Sequence, residues 1–143
     1  MIWVVLDTNT LVSGLGWLGP PSRVLQHVLD GRVILILSKP LRDELTRVLQ
    51  YEHLAKVFED PLALVLLITK VAVLVEPNVK IEELEDEPDN RVLEAALVGH
   101  ADYIVTGDKQ MLALKYFEGM QILTPRQFLD ILESRQSEDV DPL

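Results

Sequence analysis

Three short apolar runs in this chain each stop at a polar turn that carries, or leads to, an acid. Met1–Leu6 ends in Asp7-Thr8-Asn9, Val33–Leu37 is followed by Ser38 and then Glu44, and Tyr103–Val105 ends in Thr106-Gly107-Asp108. Runs this short and uninterrupted are strands buried on both faces, the pattern of a parallel sheet covered by helices. In an open sheet of that kind, ligands collect outside the carboxyl ends of the strands. Asp7, Glu44 and Asp108 would converge there, with Asp89 at the start of the helical stretch Asn90–Gly99. Carboxylates brought that close repel one another unless a cation joins them. The pattern predicts a divalent-metal site and, from it, a metal-dependent phosphoryl-transfer enzyme.

Periodicity supplies the remaining elements. Pro20-Pro21 opens a helix with Val24, Leu25, Val28 and Leu29 on one face, stopped by Gly31. A helix from about Ser38–Pro40 turns Leu41, Leu45 and Val48 inward and carries Glu44 between them. Tyr51–Phe58 and Pro61–Lys70 are predicted helical, Val71–Val75 a short strand, and Val79–Pro88 an acidic connector. Lys109–Lys115 is a short helix and Gln121–Leu123 the last strand. Thr124-Pro125-Arg126-Gln127 is a capping box with proline at the first helical position, starting a helix to about Ser134. Strands alternating with helices predict a three-layer α/β/α sandwich with a mainly parallel central sheet. One domain over residues 1–134 is expected, then an acidic, disordered tail over 135–143.

Composition narrows the class. The chain has 143 residues and no cysteine, so no disulfide framework or thiolate zinc site is possible. The N-terminus lacks a basic region and a small-residue cleavage site, which makes Met1–Leu6 a strand rather than a signal peptide, and the longest apolar run, Leu62–Val75, is broken by Thr69 and Lys70. These features predict a cytoplasmic protein with no membrane association. The formal net charge of −10 argues against a large non-specific nucleic-acid binder. A small basic rim formed by Lys39, Arg42, Arg47 and Lys109 is compatible with it.

Other constellations carry less. Gly14-Leu15-Gly16-Trp17-Leu18-Gly19 matches a dinucleotide fingerprint literally, but Asp7–Ser13 separates it from the strand and Pro20-Pro21 follows. It is expected to be a flexible glycine loop. His27 and His53 are placed on helical surfaces and His100 in a turn; none has general-base or ligand spacing. Ser13 and Ser38 lack a histidine partner, which sets aside a Ser-His-Asp hydrolase. A receiver-like phosphoacceptor domain needs an Asp after the middle strand and a Lys after a late one, and neither is present. Oxygen-only ligands favour Mg²⁺ or Mn²⁺ over zinc.

Val4-Val5-Leu6-Asp7-Thr8-Asn9, Ser38 to Glu44, Pro88-Asp89-Asn90-Arg91-Val92-Leu93 and Ala101 to Lys109 together resemble a PIN domain, over about Met1 to Ser134. Within that family the similarity is to the VapC-like toxin ribonucleases of toxin–antitoxin systems. The resemblance implies a Rossmann-like fold and a Mg²⁺- or Mn²⁺-dependent endoribonuclease. It implies catalytic acids at Asp7, Glu44, Asp89 and Asp108, with Asp7, Asp89 and Asp108 holding metal. Asn9, Thr106 and Ser38 are expected to support those acids, and Lys39, Arg42 and Lys109 to hold the RNA backbone. Pro88 and Gln110 stand where relatives often carry an acid, which implies a weaker or absent second ion and slow cleavage. The alternative is a PIN scaffold that binds RNA or protein without cutting.

Two partners are expected besides RNA. The apolar helix Pro61–Lys70, polar on no face, suggests a homodimer. The toxin resemblance implies a small antitoxin protein, basic enough to meet the acidic segments at Glu82–Glu87 and Glu138–Asp141.

Overall fold

The computed structural model describes residues 1–139, with side chains to residue 135. Its strands are β1 (Ile2–Leu6), β2 (Val33–Ser38), β3 (Val73–Val75), β4 (Tyr103–Val105), β5 (Tyr116–Phe117) and β6 (Met120–Leu123). Its helices are α1 (Thr8–Gly16), α2 (Pro20–Leu29), α3 (Lys39–Leu49), α4 (Pro61–Val71), α5 (Glu87–Val98), α6 (Lys109–Leu114) and α7 (Pro125–Asp139). The sheet order is β3-β2-β1-β4-β6-β5, parallel except for the β5–β6 hairpin.

Adjacent residues on a strand point to opposite faces. Val4 and Val5, Leu35 and Ile36, and Ile104 and Val105 are all fully buried, so helices cover both faces. The helix α5 packs on β1, β2 and β4, while α2 and α7 pack on each other and against β2 and β6. This is the expected three-layer sandwich. The chain steps from β1 outward through β2 to β3, then returns through α5 to β4 on the other side of β1. The reversal leaves a crevice between the carboxyl ends of β1 and β4, where an open sheet binds ligands.

Of the two readings open for Thr8–Gly19, a loop or a short helix plus loop, the second holds: Thr8–Gly16 is a helix, started by the Asp7 side chain accepting from Thr10 N. Several other local expectations need correction. Gly14 and Gly16 belong to this helix rather than to a flexible loop. A β-carbon on Gly14 would lie 2.8 Å from the Pro21 carbonyl oxygen, so α1 and α2 touch there. Tyr51–Phe58 holds only a 3₁₀ turn, Glu52–Leu54. Its buried Leu54 and Phe58 are too few to anchor a longer helix, and short helices are marginal alone. The helix α5 begins at Glu87, two residues before Asp89, because the Asp86 carboxylate caps it. His27 is buried, its Nδ1 accepting from Arg32 Nε at 3.0 Å, rather than sitting on a surface. The two-residue strand β5 has no periodicity to read; its turn shows itself only in Glu118 and Gly119, both at positive φ. The last helix continues past Ser134 to Asp139, and the expected disordered tail otherwise lies outside the described residues.

No helix among the described residues is long and apolar enough to cross a membrane.

Candidate metal centre

Each acid reaches the crevice for a local reason. Asp7 ends β1 and caps α1 through Oδ1, 2.9 Å from Thr10 N. Glu44 lies on α3 one turn past its start, half-buried. Asp89 sits in the first turn of α5, and Asp108 follows β4 and caps α6 through Met111 N at 3.0 Å. With Asp86 they line one pocket of about 90 Å³, together with Thr8, Asn9, Pro88 and Val92.

Hydroxyl groups tie these acids to the frame. The Thr106 hydroxyl donates to Asp7 Oδ2, and both residues are buried. Thr106 Oγ1 in turn accepts from Asp108 N at 2.9 Å, so one hydroxyl links two of the acids. The Thr8 hydroxyl donates to Glu44 Oε2 at 2.8 Å, joining the start of α1 to α3. Asn9 lines the pocket and is exposed. Ser38 is buried outside the pocket and caps α3, accepting from Leu41 N at 3.4 Å. It therefore sets where the helix carrying Glu44 begins.

The basic residues stand apart from the pocket. Lys39 Nζ pairs with Asp43 at 2.8 Å on the exposed face of α3. Arg42 is half-buried on the same helix, and Lys109 is exposed at the start of α6. None of the three lines the pocket.

Two residues escaped the sequence reading. Thr8 was passed over for its neighbour Asn9, yet Thr8 holds Glu44. Asp86 was one acid among many in the run Glu82–Asp89. Its signal was the spacing Asp86-Glu87-Pro88-Asp89, an N-cap followed by a proline in the first turn.

Electrostatics follow from the crowding. Asp89 is pushed up to about 7, first by burial, then by the charge of Asp86, with Asp108, Asp7 and Glu44 adding to it. Asp7 is also raised by burial, against the hydrogen bonds from Thr10 and Thr106 that lower it. Asp89 Oδ2 is buried and has no hydrogen-bond partner. A buried orphan oxygen is costly, and few occur per protein. Among the described residues, no three His, Cys, Asp or Glu side chains are gathered tightly enough to hold an ion as they stand. The carboxylates ring the pocket without closing on one point. Mutual repulsion alone favours such an open ring.

A family profile described as the PIN domain matches residues 3–110. An uncharacterized protein of Methanocaldococcus jannaschii, MJ1680, is 26% identical over 144 residues, covering 92% of each chain. The structure of the T. brucei RRP44 PIN domain is 12% identical with a TM-score of 0.48, over 96% of this chain and 84% of that one. The profile match spans every acid of the pocket, from Asp7 to Asp108, and the chain belongs to the PIN-domain family.

Proposed function

We propose that this protein is a Mg²⁺- or Mn²⁺-dependent endoribonuclease. The observation that carries the reading is the buried, unpartnered Asp89 Oδ2 in a pocket lined by Asp7, Glu44, Asp86 and Asp108. A set of oxygen donors with no nitrogen or sulfur suits a hard cation. Family membership supports phosphodiester hydrolysis as the chemistry.

Asp7, Asp89 and Asp108 would hold the cation. When bound, it would supply charge neutralisation at the scissile phosphate and make an attacking water more acidic. The chain's own residues do the rest. Glu44, fixed by Thr8, orients the water and takes its proton. Thr106 holds Asp7 in one rotamer and, through the Asp108 backbone, the start of α6. Water oxygen bonds to phosphorus as the bond to the 3′-oxygen breaks, leaving a 5′-phosphate and a 3′-hydroxyl. Lys39, Arg42 and Lys109 lie outside the pocket lining and would hold backbone phosphates beyond the scissile one.

The resemblance to toxin components adds a second part to the proposal: a small basic partner restrains the enzyme in the cytoplasm. The acidic run Glu82–Glu87 would receive it, because Glu82, Glu83, Glu85, Asp86 and Glu87 are all exposed and Asp86 lines the pocket. Native purification that repeatedly yields no such companion would remove this part alone.

The central test compares cleavage of single-stranded RNA by the wild type and Asp7→Asn, with EDTA, Mg²⁺ or Mn²⁺. Metal-dependent cleavage lost in the variant is expected. Equal cleavage in EDTA and Mn²⁺ would sink the reading.

A further inference from the structure

The connector between β3 and α5, residues 76–86, has no regular secondary structure, yet α5 grips it at four backbone groups. Asn90 Oδ1 accepts from Leu84 N, and Asn90 Nδ2 donates to the Leu84 carbonyl, both at 2.8 Å. Glu94 Oε2 accepts from Ile81 N at 2.9 Å, and Arg91 Nη2 donates to the Ile81 carbonyl at 3.2 Å. Arg91 Nε also lies 2.9 Å from Glu94 Oε1. Asn90 is 1% exposed and Glu94 is 4% exposed. A buried carboxamide that spends both arms on one peptide, and a buried carboxylate that accepts from another, form a polar network that is costly to break.

The grip ends two residues before Asp86. Two residues of chain span at most about 7 Å, so fixing Leu84 confines Asp86. The Asp86 carboxylate then accepts from Asp89 N at 3.1 Å and lines the pocket. The start of α5 favours a carboxylate here, but the acids around the pocket oppose it. Asp86 is the like charge that acts most strongly on Asp89. Asp86 is itself exposed, so a free connector would let it leave the pocket rim. The residue beside Asp89 on the same helix, Asn90, prevents it. Beside Asp86, Asp89 Oδ2 is buried in the same pocket with no hydrogen-bond partner.

We propose that Asp86 is a fifth carboxylate of the cation centre, and that Asn90, with Arg91 and Glu94, are positioning residues that hold it there. This rests on the metal-dependent reading above. It supplies an acid at the start of α5, where Pro88 also lines the pocket.

The test is a double-mutant cycle on Mn²⁺ affinity, read by titration calorimetry on the full chain without RNA. Asp86→Asn keeps the helix cap, since Asn caps about as well as Asp. Asp86→Asn and Asn90→Ala are each expected to weaken Mn²⁺ binding about tenfold, the lower end for a supporting residue at a metal site. The double variant should bind as Asp86→Asn alone does, because Asn90 acts through Asp86. Losses that multiply would make Asn90 merely structural and overturn the proposal, as would undiminished affinity in Asp86→Asn. Should Asn90→Ala fail to fold, Glu94→Gln enters the same cycle, keeping its shape and its bond to Ile81. A smaller loss that vanishes beside Asp86→Asn is then expected, and a loss that persists overturns the proposal. A wild type that binds Mn²⁺ but cuts no RNA would sink the nuclease reading and leave this one to the cycle. A wild type that binds no Mn²⁺ overturns both.

Discussion

Thr106 donates its hydroxyl hydrogen to Asp7 across 99 residues of chain, and the same oxygen accepts the Asp108 backbone N–H. Thr106→Val keeps the shape and removes both bonds. It leaves a buried carboxylate oxygen without its donor, which costs about 1–3 kcal/mol. A lower melting temperature and a roughly 10- to 100-fold loss of RNA cleavage are expected. Thr106→Ser should recover most of both. A variant Thr106→Val that cuts RNA at the wild-type rate would show that the link does not orient Asp7.

Asp89 makes stability depend on pH. Its carboxyl rises from the ordinary 3.8 to about 7 in the folded protein, so the folded state holds a proton that the unfolded chain releases. The associated stability is complete below about 3.8 and is lost as pH climbs through about 7. In EDTA, the melting temperature should fall across that window. Solvent screening in an open pocket limits the loss to roughly 2 kcal/mol. Asp7, raised in the same direction, adds to the slope. Asp89→Asn should flatten the curve, and Mn²⁺ should stabilise the wild type most on the alkaline side. A wild-type melting temperature that rises over that range in EDTA would contradict the assignment.

The helix α4 buries Val65 and Ile68 but leaves Leu62 57% exposed, Leu66 70% and Leu67 40%. The neighbouring edge strand β3 adds Leu74, 53% exposed. Apolar surface of this kind is shielded by self-association, and a homodimer through α4 is the expected state. Light scattering should give twice the 16.2 kDa mass for the wild type and the single mass for Leu66→Lys. A monomeric wild type at micromolar concentration removes the expectation.

Gly14→Ala tests the contact between α1 and α2. The added carbon would lie 2.8 Å from Pro21 O and 3.2 Å from Pro21 C, both backbone atoms that cannot rotate away. Overpacking of this kind costs about 1–3 kcal/mol, more than the helix propensity that alanine gains. A destabilised protein is expected in thermal melts. An unchanged or raised melting temperature would mean that the two helices part without cost.

Much of this was legible in the sequence because strands buried on both faces leave continuous apolar runs. Ile2–Leu6, Val33–Leu37 and Tyr103–Val105 needed no partner to be recognised, and their order implied a parallel sheet. The acids at the ends of β1 and β4 followed from that placement. What was not legible depended on distant partners. Thr8 and Asn9 are equally polar, and only the position of α3 makes Thr8 the one that meets Glu44. Asp86 is hidden in an acidic run until the Asn90 carboxamide fixes which acid faces the pocket. Leu54 and Phe58 carry a helical spacing, but the segment between them closes as a single turn.

The strand β4 lies between β1 and β6, with Thr106 N donating to the Leu123 carbonyl and Asp7 N to the Val105 carbonyl. The segment that completes the centre is thus clamped by the first strand and by one of the last. The hydroxyl that seats Asp7 comes 99 residues after it, from a segment that is itself fixed by Leu123, so the centre is complete only when nearly the whole domain is folded. On the proposed nuclease reading, a chain cut short before Thr106 would carry Asp7, Glu44 and Asp89 but no cleaving activity.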